Sequence, residues 1–351
     1  MELSNEIKLY IESLASSFKT ADLKASAEAL SRRYTGESGK GRRLVLNRTD
    51  ATAYATVRMP ATYGAVSSAL AYTFEAVDEF DMSISSVIDV GAGTGAVGLA
   101  LDAISANASE GSSAQGVKKL VCIERERCMS ELGRDLLDRF SDIDEISWLN
   151  TDILKCADND SGLSADLVTA AYALNEMSAE ARERALKVLW SMSSKMLVII
   201  EPGTPEGFRQ LSEARELLVN AGAFIAAPCP AASHGKCPLK DDWCHFSVRV
   251  PRTKLHKLLK SAEVPYEDEK FAYITAVRKP GCDKVIKPAD DNPSCGRVLR
   301  HPDINLGRIG LELCTGSEIV KTVITKKSGA AFKQARKLSA GDRFQLPGQE
   351  G

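Results

Sequence analysis

No stretch of this chain approaches the ~20 consecutive apolar residues that cross a bilayer. The N-terminus, MELSNEIKLYIESLASSFK, is amphipathic but carries acids. It has neither the apolar core of a secretory signal nor the Arg-rich, acid-poor character of a transit peptide. These absences predict a soluble, cytoplasmic protein without membrane contact, monomeric when free. No CxxC pair occurs among the nine cysteines, so the spacing of zinc ribbons and fingers is missing. Internal repeats and low-complexity tracts are absent too. A non-secreted chain should not use its cysteines as a disulfide framework.

What is present divides into three stretches. Residues 1–80 read as a helical region. Glu6 to Ser17 and Ala21 to Tyr34 show helical spacing (Leu23, Ala27, Leu30 and Tyr34), and Thr52 to Val77 reads as a further helical stretch punctuated by Arg58-Met59-Pro60. Residues 81–226 alternate strands with helices, which predicts a parallel sheet in a doubly wound, Rossmann-like α/β domain. Its strands are Ser86 to Val90, Lys119 to Glu124, Ile146 to Leu149, Ala165 to Ala171 and Met196 to Glu201. Residues 227–351 hold a cysteine-rich loop and a smaller, β-rich, basic region. There, Pro280 to Pro302 reads as loop and Ala330 to Leu338 as a short basic helix.

The first strand ends VIDVGAGTG. Glycine lets a backbone approach a ligand closely and adopt positive φ, and the following helix N-terminus adds partial positive charge. A dinucleotide fingerprint reads GxGxxG. This stretch reads GxGxG after an acid and resembles motif I of class I S-adenosylmethionine-dependent methyltransferases. In such folds Asp89 sits near the methionine end of the cofactor, and Gly91, Gly93 and Gly95 line it. Glu124 closes the second strand, where such folds bind the ribose hydroxyls; Asp152 follows the third, where an acid contacts the adenine amino group. Acids on three successive strand ends carry more weight than the glycines. The alternative is a site that keeps the fold and binds nothing.

Signs of catalysis are weaker. N-methyltransferases acting on exocyclic amines carry a Pro-Pro turn after strand four. Here that place reads Ala171-Tyr172-Ala173-Leu174-Asn175-Glu176. Tyr172 could stack on an acceptor, and Asn175 or Glu176 could take a proton. Equally, Tyr172 could pack in the core while Asn175-Glu176 cap the next helix. The Pro-Cys of carbon-five pyrimidine methyltransferases is missing as well.

Ala227 to Phe246 reads APCPAASHGKCPLKDDWCHF, with three cysteines, two histidines and three prolines. Cysteines so dense in a turn-rich loop point to a metal or a cluster. Cys229, Cys237 and Cys244 are spaced too widely for a CxxC site. Wide spacing suits an iron–sulfur cubane, with zinc as the alternative. The fourth ligand is open among His234, His245, Cys282, Cys295 and Cys314. Cys122, Cys128 and Cys156 read as ordinary packed residues.

Charge is uneven. Val277 to Arg343 holds 14 Lys or Arg against 7 Asp or Glu, and RVPRTKLHKLLK (Arg249 to Lys260) contains no acid. Such a surplus fits a polyanion partner. The residues expected to meet it are Arg249, Arg252, Lys254, Lys257, Lys260, Lys326, Lys327, Lys333, Arg336 and Lys337.

RMPATY, VIDVGAGTG, ALNEM, IIEPGTPEGF, DWCHFSVRV, YEDEKFAYI, RVLRHP, LELCT and FKQARKLSAGD follow one another between about Tyr54 and Asp342. In that order they resemble the Rsm22 family of methyltransferase-like small-ribosomal-subunit assembly factors. The resemblance implies a class I methyltransferase fold bearing a 4Fe–4S cluster. It also implies association with small-subunit ribosomal RNA during assembly, and ligands Cys229, Cys237, Cys244 and Cys314. An active S-adenosylmethionine-dependent rRNA methyltransferase is the alternative function. Family members often read CPH in the loop; here Ala231 follows Cys229-Pro230, and His234 is displaced.

Overall fold

Polar caps set where the helices begin. The computed structural model describes residues 2–36, 43–78, 82–108, 112–113, 115–158, 162–229, 237–239, 242–278 and 295–347. Ser4 accepts the Ile7 N–H and opens α1 (Asn5–Ala15). After α2 (Thr20–Gly36), Asn47 accepts the Asp50 N–H at 2.8 Å and opens α3 (Arg48–Val57). Each cap satisfies a backbone donor that the first helical turn leaves orphaned. Pro60 sits in the first turn of α4 (Met59–Val77), where its missing N–H costs nothing. The helical stretch read over Thr52 to Val77 is thus two helices that meet at Arg58, broken where Arg58-Met59-Pro60 punctuates the sequence. On α2, Leu23, Ala27 and Leu30 are buried with Ala51, Ala53 and Val57 of α3, as their spacing predicts.

The alternating region follows in chain order. It comprises β1 (Ser86–Val90), α5 (Ala96–Asn107), β2 (Lys119–Ile123), α6 (Arg127–Phe140), β3 (Glu145–Leu149), α7 (Ile153–Asp158), β4 (Ala165–Ala171), α8 (Ala179–Met192) and β5 (Ser193–Pro202). A short 3-10 turn, Leu174–Glu176, lies between β4 and α8. Then come α9 (Pro205–Asn220), β6 (Phe224–Ala227), β7 (Phe246–Pro251), α10 (Lys254–Lys260) and β8 (Tyr266–Val277). The chain ends in β9 (Cys295–Val298), β10 (Asp303–Asn305), β11 (Arg308–Cys314), β12 (Ile319–Thr325), α11 (Ala330–Ala335) and β13 (Arg343–Gln345). β9 lies inside the stretch read as loop: Gly296, Val298 and Leu299 are buried by pairing with β11 and β13, a partnership that Pro and Gly composition hides.

The chain forms two compact units, 1–201 with 248–269, and 202–247 with 270–351. This division differs from boundaries at 80 and 226. In the first unit the strands run parallel in the order β3-β2-β1-β4-β5. The order reverses at β1, between β2 and β4. Open α/β sheets bind ligands at such a switch point, beyond the strands' carboxyl ends. This is the class I methyltransferase arrangement. β1, β4 and the middle of β5 are almost wholly buried and rich in Val, Ile, Leu and Ala, as a sheet covered on both faces requires.

In the second unit an antiparallel sheet has the order β10-β11-β9-β13, with β12 paired to β11. Val298, Ile309, Leu311, Leu313, Ile324 and Phe344 pack with Ala335 and Leu338 to make its core. Cys314 lies opposite Arg297 in the β11–β9 register, next to the Leu313–Val298 pair. Because side chains alternate, Cys314 and Arg297 belong to the face away from that core. β6 runs antiparallel to the end of β8, with Phe224 opposite Val277.

Candidate functional site

In the first unit the acids close the strands as the sequence order required. Asp89, only 2% exposed, accepts a hydrogen bond from Thr169 Oγ1 at 2.8 Å. Burial raises its carboxyl to about 7, with neighbouring Glu124 adding to the shift and Thr169 opposing it. The glycine loop turns beneath it with φ of +72° at Gly91, +55° at Gly93 and +82° at Gly95. At Gly91 two needs coincide: left-handed backbone, and a close approach in which a Cβ would lie 2.7 Å from Ala173 Cβ. Over Gly93 a Cβ would first meet the Met129 methyl, at 3.4 Å.

Glu124 ties this loop together. Its Oε2 accepts the Gly93 N–H at 2.8 Å and its Oε1 accepts the Glu126 N–H at 2.7 Å. An ionised carboxylate has about four lone-pair sites, so these two donors leave about two unused. Burial raises the Glu124 carboxyl, and its two backbone donors oppose that rise. Asn150 donates to the Glu124 carbonyl at 2.8 Å. Asp152 Oδ1 accepts the Leu154 N–H at 2.9 Å, so it caps α7 with one oxygen.

The turn after β4 is more constrained than its sequence suggests. Tyr172 adopts φ +55°, a left-handed conformation that is costly for a bulky residue and that clusters at functional sites. Its hydroxyl donates to Glu269 Oε1 at 3.0 Å, and Arg58 lies 3.6 Å from the same oxygen. Tyr172 is therefore held by a Glu–Arg pair. Asn175 and Glu176 lie in the 3-10 turn, and Ser178, rather than either of them, caps α8. Glu176 pairs with Arg125 at 3.3 Å, and burial lifts its carboxyl to about 8.

Three residues absent from the expected site belong to this neighbourhood. Glu201, at the end of β5, accepts the Leu174 N–H at 3.1 Å and is raised to about 8 by burial. It closes its strand as Asp89 and Glu124 close theirs, and that position was the signal available in the sequence. Arg125 and Arg58 carried no such signal, because their partners lie 51 residues away in one case and on a strand over 200 residues distant in the other.

In the second unit Cys229, Cys237, Cys244 and Cys314 line one cavity of about 70 Å³. Phe208, Leu211, Arg215, Phe246 and Arg297 complete much of its wall. Cys314 is 9% exposed, Cys229 and Cys244 are half-buried, and Cys237 is exposed. Burial, then the neighbouring thiols, push Cys244 up to about 12 and Cys314 to about 11, while Arg297 pulls both down. Burial likewise raises Cys229, where Arg215 and Arg297 oppose the rise. Thiols so placed ionise together only against positive charge, which is what a coordinated metal group supplies. Among the described residues no three His, Cys, Asp or Glu are grouped to hold a single metal ion.

The other proposed ligands fall elsewhere. Cys295 opens β9 opposite Gln345 and does not line the cavity. His245 stacks on Trp243 with ring centroids 5.7 Å apart and is likewise outside it. His234 and Cys282 lie outside the described residues.

The basic residues separate by unit. In the first, Arg249 makes a two-pronged pair with Asp268 (2.7 and 2.8 Å), while Arg252 and Lys260 share Glu267. Acids brought in by β8 thus offset much of the charge that the acid-free run suggested, and Lys254 and Lys257 remain outside these pairs. In the second, Lys326, Lys327, Lys333, Arg336 and Lys337 are all exposed and make no ion pair among the described residues. No helix of the described residues is long and apolar enough to cross a membrane.

Human mitochondrial ribosome assembly protein METTL17 is 26% identical over 204 residues, 55% of this chain and 41% of that protein. Rsm22-cox11 tandem protein 2 of Schizosaccharomyces pombe, also mitochondrial, is 25% identical over 225 residues, 53% of this chain and 30% of that protein. The chain thus matches less than half the length of these curated relatives. Among solved structures, magnesium protoporphyrin IX methyltransferase from Synechocystis with bound SAM is similar at a TM-score of 0.39 and 13% identity, over 71% of this chain and 89% of that one. The expectation of a cytoplasmic protein is overturned, since the named relatives are mitochondrial. The acid-bearing N-terminal segment that prompted it is a folded helix burying Ile7, Ile11 and Ala15. Its composition reflects that packing. Residues 48–345 match the family model described as mitochondrial small ribosomal subunit Rsm22, and the chain belongs to the Rsm22 family.

Proposed function

We propose that this protein is a small-ribosomal-subunit assembly factor that binds S-adenosylmethionine at the glycine loop and a 4Fe–4S cluster at Cys229, Cys237, Cys244 and Cys314. It contacts small-subunit rRNA through exposed basic residues. The observation that carries this reading is the convergence of four cysteines, spread from Cys229 to Cys314, on one cavity. None of them forms a CxxC pair with another, and they lie far apart along the chain. This suits a cubane, whose cysteine-bearing corners stand further apart than the ligands of one ion, better than it suits zinc. When bound, such a cluster supplies a cross-link among the segments that carry its ligands. The chain's own residues shape and close the cavity: Phe208, Leu211 and Phe246 exclude water, and Arg215 and Arg297 offset thiolate charge.

At the glycine loop, Asp89 would face the cationic methionine end of S-adenosylmethionine. The free lone pairs of Glu124 would take the ribose hydroxyls, and Asp152 would use its second oxygen for the adenine amino group. Anaerobic purification followed by iron and sulfide analysis tests the cluster. Four irons and four sulfides per chain are expected; one zinc and no sulfide would overturn it. Sedimentation of extract at low salt tests the partner, because absence from small-subunit precursors would remove it.

A second reading, an active rRNA methyltransferase, draws support from Tyr172. It is held left-handed after β4, in the same turn as Glu176, whose carboxyl sits at about 8 and could exchange a proton near neutral pH. Precursor subunits incubated with tritiated S-adenosylmethionine would then carry label in RNA. Cofactor binding without label would favour the first reading.

A further inference from the structure

Arg297 is a charged side chain buried to 6% exposure, and no acid pairs with it among the described residues. Burying a guanidinium without a countercharge is costly. Two neutral carbonyls fix it: Nε donates to Pro228 O at 2.7 Å and an Nη donates to Gly341 O at 2.6 Å. It also lies over the face of Phe246, 5.7 Å from the ring centroid. These contacts orient the group but supply no full negative charge. They also place it among the cysteines: Pro228 directly precedes Cys229, and Cys314 stands opposite Arg297 in the β11–β9 register. The side chain lines the cavity that Cys229, Cys237, Cys244 and Cys314 share.

We propose that Arg297 is the fixed countercharge of the group assembled on these cysteines, and the clamp that sets Cys229 and Cys314 before that group arrives. The proposal rests on the metal-binding reading above. Metal groups held by four thiolates carry net negative charge, so the buried cation finds a complement when the site is loaded. The two bonds diverge from one planar fork, reaching the turn before β13 on one side and the Cys229 segment on the other. Lysine, with a single point charge, cannot hold both in that geometry. Arg297 is a positioning residue, not a ligand.

The test compares the full chain with Arg297→Gln and Arg297→Lys after anaerobic reconstitution with iron and sulfide. Wild-type protein that takes up neither ion overturns the metal reading itself. If wild type loads, Arg297→Gln is expected to lose its cluster absorption roughly 10- to 100-fold faster under a chelator, in line with other groups that support metal ligands. Its midpoint potential should fall, because removing a nearby positive charge disfavours the more negative reduced state. Arg297→Lys should restore much of the potential, since charge is kept, but not the slow release. Melting of the metal-free proteins provides the control. A Gln variant that matches wild type in release and potential overturns the proposal. So does a faster release that Lys and Gln share with no change in potential, since that marks a purely structural role.

Discussion

Single carboxyls govern how the first unit responds to pH. Asp89 is raised to about 7, and Glu176 and Glu201 to about 8, by burial in each case. A carboxyl whose folded pKa exceeds its unfolded value binds its proton more tightly in the folded state. The stability it contributes is full below the unfolded values of 3.8–4.5 and is lost as pH rises through 7–8. Ligand-free protein is therefore expected to melt at progressively lower temperature between about pH 5 and 8, as scanning calorimetry would show. Glu201→Gln should flatten that slope and raise the melting midpoint at pH 8 by about 2–4 °C for each kcal/mol relieved. An unchanged slope would mean that Glu201 ionises freely. S-adenosylmethionine binding should show the opposite trend, strengthening as Asp89 ionises and faces the cationic ligand. The three strand-end acids were legible because their positions follow strand periodicity. Glu269 as partner of Tyr172 was not, because nothing local links β8 to the turn after β4.

Elements decide what single residues can reach. The glycine loop is set by β1 and by Ala173 across from it, so Gly91→Ala meets both a left-handed φ and a 2.7 Å approach. A cost of about 1–3 kcal/mol is expected. S-adenosylmethionine affinity should drop with it, measured by titration calorimetry, whereas Gly222→Ala, at φ +85° with nothing within 4 Å, should lose stability alone. At α11 and the turn before it, exposed cations present one charge set in the second unit. Replacing Lys333, Arg336 and Lys337 with Gln should reduce the dependence of RNA affinity on salt. The log–log slope should flatten by about one for each phosphate that is no longer neutralised. A slope unchanged in the triple variant would remove this patch from the interface. Equivalent changes at Arg249 and Arg252 should matter less for RNA and more for stability, since both are already paired with acids. The sequence showed that run as acid-free, and the neutralising acids arrive only with β8.

At the scale of the whole molecule, the cluster reading predicts unequal behaviour of the two units. Chelation should raise hydrogen exchange at the ends of β6 and β11, which lead into Cys229 and end at Cys314. The parallel strands β1 and β4 should keep their protection. Equal loss in both would contradict a cluster confined to the second unit. Periodicity and motif determined the alternation of strands and helices, the glycine loop, the acids at the strand ends and the membership of the Rsm22 family. Those signals are local: burial of a covered sheet and the φ demands of a tight loop are written into neighbouring residues. The family resemblance named Cys314, but only tertiary structure shows that it, and not Cys295 or His245, lines a cavity with the three loop cysteines. Tertiary structure alone shows that Tyr172 is latched by Glu269, and that Arg297 is a buried cation with no acid beside it among the described residues. Each of these depends on strands far apart in sequence meeting in one register, which no local pattern encodes.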